Sequence, residues 1–148
     1  MRTVEVLAVI SVCLLSCCAV SRWRDRSTPL TPASPTEYRL EIVEDPDNRR
    51  FDLRLVSTTN RPLCVGEHQW PNSLGQLHFA RGDVYLIVAG AKYSIKEHNM
   101  GYPEGVLRIP PGGQRTGFIS LDEFDPGWSS TPDSARKLLF KVQPVYCN

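Results

Sequence analysis

From Tyr38 onward, apolar and polar residues alternate along the chain. Tyr38, Leu40 and Ile42 fall on one side of an extended strand, with Arg39, Glu41 and Val43 on the other. A polar turn cluster follows, Asp45-Pro46-Asp47-Asn48. Phe51, Leu53 and Leu55 then alternate against Asp52, Arg54 and Val56. Two alternating runs around a polar turn predict an antiparallel hairpin with one buried face. Shorter strands are predicted at 63–65, after Asn60-Arg61-Pro62, and at 83–88. A tight turn, Gly90-Ala91-Lys92, leads into another at 93–95. Further strands are predicted at 106–109, ended by Pro110-Pro111-Gly112-Gly113, at 116–121 and at 137–145, where Leu138, Phe140 and Val142 alternate. Helical periodicity is weak. Residues 132–137 offer one short turn, with Asp133 or Ser134 near its start. Seven or eight short strands broken by frequent turns predict an all-β fold, an antiparallel β-sandwich.

Composition agrees with that pattern. Twelve prolines and ten glycines interrupt the chain often, which suits short strands better than long helices. A hydrophobic fraction of 41% is enough for one ordinary core. The net charge of +1 leaves no basic stripe of the kind nucleic acid requires.

The N-terminal part is organised differently. Arg2 precedes an apolar stretch from Val6 to Leu15, which ends in Leu14-Leu15-Ser16-Cys17. Those four residues resemble the lipobox of bacterial lipoproteins. The resemblance implies cleavage before Cys17, acylation of Cys17, and a protein anchored by lipid to a membrane of the cell envelope. Cys18 rather than Asp follows, which by the sorting rule of such proteins implies the outer membrane, facing the periplasm. Other readings are a signal peptide cut elsewhere and an uncleaved anchor. For the latter, the run to Val20 is shorter than the roughly 20 residues a spanning helix needs. The expected organisation is a signal at 1–16, a lipidated cysteine and Pro/Ser/Thr tether at 17–36, and a sandwich domain at 37–148. In the tether, Arg22, Arg24 and Arg26 flank Trp23, a pattern that fits either anionic headgroups or a solvated charge run.

Of the five cysteines, Cys13 leaves with the signal and Cys17 takes the lipid. Cys64 and Cys147 are the natural disulfide pair in an oxidising compartment, and Cys18 is left over. From Tyr38 on, the chain looks like the immunoglobulin-like domains of small periplasmic lipoproteins. That likeness is carried by the step from Leu55 through Asn60-Arg61-Pro62 to Cys64 and by Leu107-Arg108-Ile109-Pro110-Pro111-Gly112. It implies an immunoglobulin-like β-sandwich, although the positions of Cys64, Trp70 and Cys147 depart from the antibody-type spacing.

Candidate chemistry is sparse. There is no Gly-x-Ser-x-Gly elbow and no His-Glu-x-x-His. Cys64 and His68 stand four apart, but the disulfide accounts better for the cysteine. His68, His78 and His98, with Glu67 or Glu97, read as scattered surface residues rather than metal ligands. Asp122, Glu123 and Asp125 around Phe124 read as a solvated acidic loop lacking the pattern of a calcium site. Expected catalytic residues, metal ligands and cofactors are therefore none. The aromatic residues Trp70, Tyr102, Phe124 and Trp128 lie in loop-like segments, where they either plug the core or form a partner surface. The reading that follows is a non-enzymatic, lipid-anchored envelope protein that binds a protein partner as an inhibitor, an immunity-type protein or a structural component. An envelope hydrolase and a small-ligand-binding sandwich are the alternatives.

Overall fold

A computed structural model describes residues 30–78, 84–98, 101, 103–130 and 135–147. Cys17, Cys18, Trp23 and its flanking arginines, and Tyr102 lie outside the described residues. The fold is an all-β sandwich, and every paired strand is antiparallel. The described residues form nine strands in three three-stranded sheets.

The first sheet is built on the predicted hairpin. β1 (Tyr38–Asp45) and β2 (Arg50–Ser57) pair along their full length, from Tyr38 opposite Ser57 to Asp45 opposite Arg50. The turn between them is held by the Asp45 carboxylate, which accepts the Asn48 amide at 3.1 Å. It closes with Arg49 in the left-handed region at φ 51°. Alternation then does what the pattern dictates: Phe51, Leu53 and Leu55 are buried, while Arg54 between them is exposed. Burying each such side chain contributes about 1.5–3 kcal/mol.

The second sheet runs β6-β3-β9, with β3 (Leu63–Gly66), β6 (Val106–Ile109) and β9 (Val145–Tyr146). The third runs β5-β4-β8, with β4 (Val84–Val88), β5 (Ala91–Ser94) and β8 (Arg136–Phe140). The turn Pro110–Gly113 carries the chain from β6 to β7 (Gln114–Ser120), which pairs with β2 and completes the first sheet. One core cluster draws Leu55, Leu63, Leu86, Ile109 and Ile119 from all three sheets.

The β4–β5 turn is Ala89-Gly90, one residue earlier than predicted, because Val88 pairs with Ala91. Its φ values of 50° and 83° are those of a type I′ hairpin turn. The strand predicted at 137–145 is two strands, β8 and β9, separated by residues 141–144. Arg136 and Lys137 belong to β8 and not to a helical turn, and 132–134 lie outside the described residues. Leu121 opens a short 3-10 helix, Leu121–Glu123, in which the Ser120 hydroxyl accepts the Asp122 amide.

Residues 31–33, expected in the tether, pair with the C-terminal segment instead. Tyr146 donates its amide to the Thr31 carbonyl at 2.9 Å, Ala33 donates to Pro144 at 2.9 Å, and Pro32 bridges Val145 between them. Ala33 is 3% exposed and belongs to the core. The domain therefore begins before residue 37.

The disulfide joins Cys64 of β3 to Cys147 just after β9, with sulfurs 2.01 Å apart and a sequence separation of 83. It links neighbouring strands of one sheet, unlike the bridge between sheets of antibody domains. A crosslink closing a loop of that length contributes about 4–5 kcal/mol in the chain-entropy account.

Candidate functional site

Two places merit description as sites. The first is an apolar groove of about 490 Å3 beside the disulfide. Its lining includes Leu30, Cys64, Gly66, His68, Val106 and Val145. The pairing of β3 explains the shape: Gly66 lies opposite Val106, and Cys64 lies opposite Val145. Gly66 has no side chain, and a Cβ there would stand 2.5 Å from the His68 ring, which lines the groove beside the valines and Leu30. Val106 is 57% exposed and Leu30 is 49% exposed, so the rim presents apolar surface to solvent. Pro103 and Glu104 also line it.

The second place is a paired imidazole and carboxylate. His98 Nε2 is hydrogen-bonded to Glu123 Oε2, and Glu123 is only 8% exposed. Two loops create this pair across 25 residues of sequence. Ile95 bridges Phe124, Lys96 donates its amide to the Glu123 carbonyl at 2.7 Å, and Asp125 donates to Ser94 at 3.0 Å. These bonds bring the 95–98 segment against the short helix, and His98 then reaches Glu123. A carboxylate oriented on an imidazole is the orienting half of a general-base arrangement. Sequence spacing separates the two residues, with His98 among scattered surface histidines and Glu123 in an acidic loop.

The acidic cluster disperses once folded. Asp122 pairs with Arg49 at 3.0 Å, Glu123 is buried on His98, and Asp125 is exposed. Among the described residues, no three His, Cys, Asp or Glu side chains gather closely enough to hold a metal ion. Cys64 is bonded to Cys147 and so offers no thiol to His68, which lines the groove instead.

The loop aromatics require a correction. Trp70, Phe124 and Trp128 are 2%, 1% and 5% exposed and form part of the core, so they present no partner surface. Strands of four or five residues are too short to cover the core unaided, and the loops fold inward to complete it. Trp70 meets Phe140 of β8 edge to face, with ring centres 5.9 Å apart. Trp128 lies between Arg49 and Arg136, each 5.7 Å from its ring centre.

A further cluster fastens the ends of the domain. Tyr146 donates its hydroxyl to Glu37, and Arg61 stacks on the Tyr146 ring with 3.6 Å to its centre. The bond from Tyr146, aided by the Ser34 amide, holds the Glu37 carboxyl below its ordinary value. The same bond raises the Tyr146 phenol.

The class that fold and site define is a disulfide-bridged all-β sandwich domain with an apolar surface groove. Comparison with protein-family models, with curated proteins and with solved structures finds no match in any of the three. The functional reading accordingly rests on the chain's own residues.

Proposed function

We propose that the chain is an exported, lipid-anchored binding protein of a bacterial envelope, attached through Cys17 and engaging a protein partner without catalysis. The observation that carries the reading is the Cys64–Cys147 bridge. Structural disulfides persist in oxidising compartments, and the cut implied by Leu14-Leu15-Ser16-Cys17 delivers a chain to one. The surface best suited to a partner is the groove rimmed by Leu30 and Val106. An inhibitor or immunity-type role and a structural role in the outer membrane both fit such a surface.

The test is metabolic labelling with palmitate and detergent partition of the full chain. Wild type incorporates label and partitions with detergent. Cys17→Ser loses the label and either leaves the membrane fraction or accumulates as precursor. A Cys17→Ser chain that still matures at the same size and still partitions with detergent overturns the lipid anchor. For the partner, envelope pull-down with wild type and Val106→Asp is compared by mass spectrometry. A protein held by the first and lost by the second supports the groove.

A second reading, an envelope hydrolase, is favoured by one observation, the buried Glu123 carboxylate oriented on His98. His98→Ala separates the two. Loss of hydrolysis of envelope material by a folded His98→Ala chain would put the enzyme ahead of the binding protein.

A further inference from the structure

We propose that β1 is the seam of a homodimer, in which two copies join their first sheets through antiparallel β1 strands centred on Leu40. The argument starts from how the strand edges are guarded, because an open edge is a template for another strand. On the outer side of β7, Ser120 donates its amide to Gly75 of the 72–76 loop at 3.4 Å. β9 has Thr31–Ala33 along its other side. The end of β5 is met by residues 123–125. β6 has only four residues and runs straight into Pro110. β8 has five, with Lys137 among them. β1 differs from all of these. It runs eight residues without proline or lysine, and among the described residues it pairs with β2 alone.

The sequence of β1 is complementary to itself in one register. A two-fold axis perpendicular to a continuous sheet keeps each side chain on its own face, so opposed residues must both be even or both be odd. Centring on Leu40 sets Leu40 against Leu40 of the second copy and Tyr38 against its Ile42. Tyr38, Leu40 and Ile42 are partly buried in the monomer, packed against the core, and this pairing extends their apolar row across the seam. On the other face, Arg39 and Glu41, which pair with each other at 2.7 Å within one copy while Glu41 also meets Arg54 at 3.3 Å, stand opposite the second copy's Glu41 and Arg39, so the two intramolecular pairs merge into one cluster of alternating charge across the seam. Centring on Ile42 instead sets Leu40 against Glu44 and Val43 against Glu41. It also draws on the far end of β1, where Glu44 already holds Arg136 at 2.6 Å and Asp45 holds Arg50 at 3.4 Å. The Leu40 register leaves that end undisturbed.

The experiment is site-directed crosslinking of the full chain. Directly opposed residues place their Cβ atoms about 4.5–5.5 Å apart, close to disulfide distance. Leu40→Cys, mildly oxidised, should give a covalent dimer whose non-reducing peptide map shows a 40–40 bond, distinct from any bond made by Cys18. Val43→Cys, on the same strand and 63% exposed in the monomer, should form its self-bond at least about tenfold more slowly. Adding Arg39→Glu to the Leu40→Cys chain sets glutamates against Glu41 at two positions and should slow the 40–40 bond about tenfold. Circular dichroism confirms that each variant is folded. Three outcomes overturn the proposal: no 40–40 bond in a folded Leu40→Cys chain, equal crosslinking at 40 and 43, or faster self-bonding through Ile42→Cys.

Discussion

Trp70 donates its indole N–H to the Thr116 carbonyl at 3.3 Å, and the ring covers the backbone of the next residue, Gly117. A loop residue is thereby fixed to β7 in the first sheet while its ring touches Phe140 in the third. Gly117 permits the approach, since a Cβ there would stand 2.7 Å from the Trp70 nitrogen. Gly117→Ala should cost about 1–3 kcal/mol by forcing the indole aside. Trp70→Ala should cost about 3–5 kcal/mol by emptying its site. Urea unfolding followed by circular dichroism measures both.

The β4–β5 turn offers the opposite test. Ala89 holds φ 50°, which an alanine adopts only at a cost, and its side chain is exposed. Ala89→Asn supplies the Asn-Gly pair that type I′ turns prefer and should stabilise by about 0.5–1 kcal/mol. A urea midpoint that stays level or falls would contradict the turn assignment.

Reduction of the disulfide should destabilise the domain by about 4–5 kcal/mol, since it reopens a loop spanning 83 positions. The Cys64→Ala, Cys147→Ala double variant should melt at the temperature of the reduced wild type. A melting temperature unchanged by reductant would show that the loop contributes no such constraint.

The Tyr146–Glu37 bond gives stability a dependence on pH at both ends. Glu37 is held below its ordinary 4.5, so its contribution is present above that pH and is lost as pH falls through the lower folded value. Asp45 is lowered from 3.8 in the same sense, chiefly by the Asn48 side chain. Tyr146 is raised above 10.0, so its contribution is present below pH 10 and is lost as pH rises through the higher folded value. Tyr146→Phe should flatten the alkaline limb and part of the acid limb, leaving the Asp45 portion in place. Chemical denaturation from pH 3 to 11 measures the two limbs.

The β1–β2 hairpin was legible because alternation and turn chemistry coincide there, with Phe51, Leu53 and Leu55 facing inward as the period of two requires. The loop aromatics were not legible. Proline and glycine beside Trp70 and Trp128 mark an irregular backbone but carry no information on which way a side chain points. Thr31–Ala33 was missed because prolines argue against strands. Pro32 fits because the flanking residues make the bonds, Thr31 as acceptor and Ala33 as donor, so its missing N–H is never needed. The His98–Glu123 pair depends on two loops meeting at the Ile95–Phe124 bridge, and no local spacing encodes that meeting.

The pairing of Thr31–Ala33 with β9 also decides where mechanical load would travel. A pull arriving at Leu30 enters the domain on a short segment bonded to β9, whose far side is bonded to β3 and whose end is tied to β3 by Cys147. Leu30 and Val145 also line the groove. Load entering at Leu30 would therefore meet β9, β3 and one covalent bridge within a few neighbouring residues.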